Sequence, residues 1–166
     1  RASEFCPLIS KGDHQYLLRL DGQGFNFTLH QGGWKGLVVR YPQAGLGEGW
    51  NRATAVYDGR HMRLYVNGRE VGRQPLSGSI DSSGYPVNLG RNSEIPSRVS
   101  GLPIQQARIY ARALSPQEVA EPDSRDTTGL VLDMDLRAVG DEPIPLGRGE
   151  TFFAYGGDFG DRPNDG

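Results

Sequence analysis

The stretch NRATAVYDGRHMRLYVNGREVG, residues 51–72, decides the fold. Asp58-Gly59 and Asn67-Gly68 lie between apolar-rich runs and supply the positive φ angles that tight hairpin turns need. Residues 51–75 therefore read as consecutive antiparallel strands. In MRLYV, Met62, Leu64 and Val66 point one way while Arg63 and Tyr65 point the other. A strand with one half-buried face implies a second sheet packed against it.

The pattern repeats on both sides of this stretch. Upstream, YLLRL (16–20) passes through Asp-Gly-Gln-Gly to FNFTL (25–29), and KGLVVR (35–40) follows. Downstream come PVNLG (86–90), IQQARIY (104–110) and GLVLDMDL (129–136). In the last, Leu130, Leu132, Met134 and Leu136 share one face, and Val131, Asp133 and Asp135 share the other. The 24 glycines and 11 prolines recur between short apolar runs, which favours many turns over helices. One short helix is expected near 115–121. Ser115 is placed as its N-cap, Pro116 at its first position and Glu118 where a capping box needs it. The expected fold is all-β, two antiparallel sheets in a sandwich. The sandwich should occupy residues 1–137, a Pro/Gly-rich linker 138–150, and a separate aromatic strand and glycine-rich loop 151–166.

Composition removes several function classes. A net charge of -2 without a basic patch argues against nucleic acid. No apolar run approaches the length of a membrane span. The single cysteine, Cys6, excludes an internal disulfide and reads as a small buried hydrophobe. RASEFCPL has no initiator Met and reads as an internal start, so a fragment is expected. The expected setting is bacterial, periplasmic or secreted rather than cytoplasmic.

Two resemblances sharpen this reading. LISKGDHQYLLRL, the block from Trp50 through Val71, PVNLGRNSE and ARIYARALSPQEV, in that order, resemble a laminin-G-like, concanavalin A-like jelly-roll domain. The resemblance covers residues 8 to about 120 and implies two curved antiparallel sheets. Such domains usually begin with a further strand or two, whereas seven residues precede Leu8 here; either the chain starts inside the domain or another segment takes the missing strand's place, and a missing strand would leave an exposed sheet edge. At the other end, FAYGGDFGDRPNDG (153–166) is similar to a segment of the catalytic barrel of glycoside hydrolase family 2 β-galactosidases. Together they imply a non-catalytic sandwich inserted in a β-galactosidase that hydrolyses terminal β-galactosides. A structural insert without ligand and a stand-alone glycan-binding module remain the alternatives.

Candidate site residues follow. A retaining glycosidase needs two carboxylates about 5 Å apart. None of Glu4, Glu48, Glu70, Glu94, Glu118, Glu121, Glu142 and Glu150 stands in the contexts the family uses, so no catalytic residue is expected in this chain. By resemblance Asp158, Asp161 and Asn164 belong to the parent's active-site loop, although Asp158 and Asp161 could equally do no more than bind loop N–H groups. A sugar site on the sandwich itself would use exposed aromatics with polar neighbours. Trp34, after Gly32-Gly33, and Tyr41 are the candidate platforms, while Trp50 is expected in the core. A purely structural insert would instead bury Trp34. Relatives often hold calcium at the sandwich rim; Asp133 and Asp135 are the candidate ligands, with Asp13, Asp21 and Asp81 in loops. His14, His30 and His61 lack metal-ligand spacing and read as surface or hydrogen-bonded residues.

Overall fold

The Asn67-Gly68 turn forms as its sequence demands. In the computed structural model, which describes residues 5–121 and 126–136, Asn67 and Gly68 take φ of 51° and 82° between the paired residues Val66 and Arg69. The turn at Asp58 closes differently. Of that pair only Gly59 has positive φ, and the Asp58 carboxylate accepts the N–H groups of Arg60 (2.8 Å) and His61 (2.7 Å). Desolvation pushes the Asp58 carboxyl upward, but these two N–H groups and the Arg63 guanidinium overcome it and bring its pKa down to about 2. These turns join β5 (Ala53–Tyr57), β6 (His61–Val66) and β7 (Arg69–Pro75) into a three-stranded antiparallel sheet.

The larger sheet has the order β4-β3-β2-β1-β8. Its strands are β1 (Phe5–Ser10), β2 (Tyr16–Asp21), β3 (Gly24–His30), β4 (Trp34–Arg40) and β8 (Asn88–Leu89). All pairings are antiparallel, and β1 carries a bulge between Pro7 and Ile9. The stretch around Leu8 is thus an interior strand between β2 and β8. Among the described residues the edge strands of this sheet are β4 and the two-residue β8, and Lys35 and Arg40 put charge along β4. A two-stranded ladder of β9 (Gln106–Tyr110) and β10 (Leu130–Asp135) stands apart from both sheets. The chain is an antiparallel jelly-roll sandwich.

The core lies between the two sheets. Leu18, Phe25, Phe27, Leu29, Leu37 and Val39 from the larger sheet meet Met62, Leu64 and Val66 from the smaller. The alternation read in MRLYV places these last three inward, and Met62 and Leu64 are fully buried. The sheets close tightly enough that a Cβ on Gly72 would stand 2.5 Å from Val39 Cγ2. Cys6 is buried, as expected of a small hydrophobe.

Helix α2 (Pro116–Ala120) packs on the outer face of the smaller sheet, where Val119 and Leu114 meet Val56 and Tyr65. Its capping box is complete: Ser115 Oγ accepts from Glu118 N–H, and Glu118 accepts from Ser115 N–H. To this expected helix the fold adds a single turn, α1 (Tyr41–Ala44), which Pro42 starts and Gly45 (φ 63°) stops. Its four residues are too few to carry a helical period in the sequence. The proposed linker and the 151–166 segment lie outside the described residues.

Candidate functional site

Strand alternation leaves the outer face of the larger sheet free of the core. Register places Asn26 opposite Arg19 and Val38, Thr28 opposite Leu17 and Gly36, and His30 opposite Trp34. These rows form the floor of a groove of about 340 Å³ lined by Leu17, Arg19, Asn26, Thr28, Trp34 and Gly36, with Asp13 and Arg98 at one end. Trp34 is 50% exposed at its rim. Thr28 Oγ1 donates to Asn26 Oδ1 at 2.8 Å, so the Asn26 amide keeps its N–H groups for the groove. Gly36 keeps the floor low: a Cβ there would meet only Asn26 Oδ1, at 3.8 Å. Arg19 Nε is buried and has no hydrogen-bond partner among the described residues, and burial lowers the guanidinium's pKa.

The groove's end is built by two loops that the sequence places about 80 residues apart. Asp13 is buried; its carboxylate accepts from Arg98 Nη1 at 2.8 Å and from Asn92 Nδ2. Asn92, fully buried, accepts the N–H groups of Glu94 and Ile95 through Oδ1. Gly12 N–H donates to Ser93 Oγ and Asp13 N–H to a Glu94 carboxylate oxygen. Lys11 Nζ donates to the carbonyls of Ser83 and Tyr85. The blocks LISKGD and NLGRNSE are therefore two halves of one polar staple, because a buried carboxylate needs partners to offset its lost hydration.

Beside Trp34 stand two histidines. The His14 and His30 ring centres are 4.9 Å apart, and His30 meets Trp34 edge-on at 5.4 Å. His14 Nδ1 bonds Glu94 Oε1 at 2.7 Å, and His30 Nδ1 bonds Asp81 Oδ2 at 2.6 Å. The Gly32 N–H and then His30 hold the Asp81 carboxyl below the usual range. Sequence spacing gave no hint of this cluster, since the histidines are far apart in the chain. The available signal was register: the Asp21–Gly24 turn, which pairs Tyr16 with Leu29, also brings residue 14 beside residue 30.

The candidate platforms do not share a site. Trp34 and Tyr41 lie at opposite ends of β4, about 20 Å apart along an extended strand. Tyr41 is partly exposed and its hydroxyl donates to the Asp21 carbonyl at 2.8 Å. Trp50 is 57% exposed, not in the core as expected. Asn51 bonds the backbone of Gly47 and Gly49, holding Trp50 in a loop before β5 begins, outside both layers.

The residues offered for calcium have other partners. Asp133 pairs with Arg108 at 3.0 Å, whose cation competes for the same carboxylate. Asp13 and Asp81 are engaged as described, and Asp21 accepts the Gln23 and Gly24 N–H groups. Among the described residues no three His, Cys, Asp or Glu side chains converge as a metal site. His61 stands 4.0 Å from Asp58, away from the other two histidines. Asp158, Asp161 and Asn164 lie outside the described residues.

Two facing antiparallel sheets with a polar, aromatic-rimmed groove on one outer face define a lectin-type β-sandwich. The Laminin_G_3 family model, described as the concanavalin A-like lectin/glucanases superfamily, matches residues 2–120, and the chain belongs to that family. A solved structure of an S-layer domain-containing protein (residues 221–444) from Clostridium thermocellum ATCC 27405 is similar at 26% identity. The match covers 67% of this chain and 58% of that one, with a TM-score of 0.39. No curated protein matches the chain.

Proposed function

We propose that the domain is a carbohydrate-binding module and that its site is the groove on the outer face of the larger sheet. Trp34 carries this reading: a half-exposed indole at the rim of a groove floored by Asn26, Thr28 and Gly36. A pyranose has an apolar face for an aromatic ring and a hydroxyl edge for amides, hydroxyls and guanidinium groups. The groove's size is within the range of small-ligand sites. A structural insert was expected to bury Trp34, which is instead half exposed.

The finer reading is that the ligand is a galactoside-containing glycan. The module would serve a retaining β-galactosidase, exported in a bacterium, that removes terminal β-galactosides. Its support is the similarity of FAYGGDFGDRPNDG to that enzyme family's barrel segment, with Asp158, Asp161 and Asn164 on the parent's active-site wall. The groups that would perform the chemistry belong to the rest of such a parent. The isolated chain should therefore leave a nitrophenyl galactoside intact; turnover above a buffer blank by pure protein contradicts this. Glycan-array binding by the same chain, lost in Trp34→Ala, supports the module, whereas silence across the array favours a structural insert.

A further inference from the structure

We infer that His14 and His30 form a binding site for a divalent transition-metal ion, of the zinc and copper class, at the Trp34 end of the groove. Each imidazole bonds a carboxylate through Nδ1, His14 to Glu94 and His30 to Asp81. A carboxylate only accepts, so Nδ1 carries the proton and Nε2 keeps its lone pair. Neither Nε2 has a hydrogen-bond partner among the described residues. Carboxylate on one nitrogen and an open second nitrogen is the arrangement that fixes a histidine's tautomer and ring orientation for metal ligation.

The spacing fits. Two imidazoles sharing a tetrahedral ion at about 2.1 Å per bond have ring centres about 5 Å apart. The observed separation is 4.9 Å with the rings tilted 54°. The protein supplies these two ligands, no third His, Cys, Asp or Glu joining them among the described residues, and solvent fills the remaining positions. Imidazole donors select zinc, copper or nickel over calcium and magnesium, which prefer oxygen. The His14 side chain is 57% exposed, which gives the ion a path in and leaves open positions facing solvent.

The experiment uses Trp34 as reporter. The chain has two tryptophans, and Trp50 stands exposed in a loop, so Trp50→Phe leaves Trp34 as the sole indole, 5.4 Å from His30. Titrating Cu²⁺ into this variant should quench its fluorescence saturably at micromolar metal, with Zn²⁺ competing. His14→Ala or His30→Ala should weaken binding at least about tenfold, and Glu94→Gln by about tenfold through the lost ring orientation. His61→Ala should change nothing. Absence of saturable quenching below about 1 mM, a bare 4 kcal/mol of binding, overturns the inference. So does quenching that survives in the His14→Ala/His30→Ala double variant. Circular dichroism on each variant separates lost ligands from lost fold. The outcome is independent of the glycan reading, since either ligand can bind without the other.

Discussion

The outer faces of the two sheets have opposite fates. The smaller sheet's outer face is covered: Tyr65, with its side chain against Val119 of α2, is as buried as the core residues beneath it. The larger sheet's outer face is open: the same alternation there presents Asn26, Thr28, Trp34 and Val38 to solvent or to the groove. One face uses its outward residues to attach a helix, and the other leaves them lining an open groove. An open sheet face with an exposed indole has a cost in solubility, which is reasonable where the indole has a partner to meet.

Substitutions can break this contrast, and the largest effect should come from what both faces share. Leu64→Ala removes a fully buried side chain from between the sheets and should cost about 3 kcal/mol of unfolding free energy by urea denaturation. Asp13→Ala strips Arg98 and Asn92 of their buried partner. With Arg98 about a third exposed, the loss should be about 2 kcal/mol, and it should loosen the groove's end along with the fold. Ser115→Ala, on the covered face, should cost about 1 kcal/mol through the lost N-cap.

Acid sharpens the contrast by attacking the covered side. The Arg112 guanidinium, and then Ser115, hold Glu118 at a pKa of about 2, close to that of Asp58 in the β5–β6 turn. Both lie below the ordinary carboxylate value of about 4, so their stabilisation is complete above that pH and is lost as pH falls towards 2. The melting temperature should drop over that window, and Glu118→Gln with Asp58→Asn should flatten the drop. An unchanged slope in the double variant would place the acid sensitivity elsewhere. Trp34→Ala should be the mildest for stability, within about 0.5 kcal/mol, because an exposed side chain gives up little packing.

What the sequence disclosed was local. Alternation in MRLYV, the Asn67-Gly68 turn and the Ser115–Glu118 box each depend on neighbours within a few residues, and each appears where the chain said it would. Trp34 read correctly as exposed for the same reason, since Gly32-Gly33 hold it at a strand start. The failures are non-local or too short to carry a period. The staple of Asp13 with Asn92, and the meeting of His14 with His30, need strand register and loop closure that no window contains. Trp50 was expected in the core because its counterpart in the resembled family usually is, whereas its loop is tied back by Asn51 before it can reach either layer.

The central claim is that the open face is a sugar site with Trp34 as its platform. Isothermal titration of galactose-containing oligosaccharides into the wild-type chain and into Gly36→Phe tests it most directly. A Cβ at Gly36 would meet only Asn26 Oδ1, at 3.8 Å, and would point into the groove, so the ring should fill the groove and equal melting temperatures check that the fold is intact. Saturable heat with the wild type and none with Gly36→Phe, at equal melting temperatures, is the predicted result. Equal binding by both proteins would contradict it.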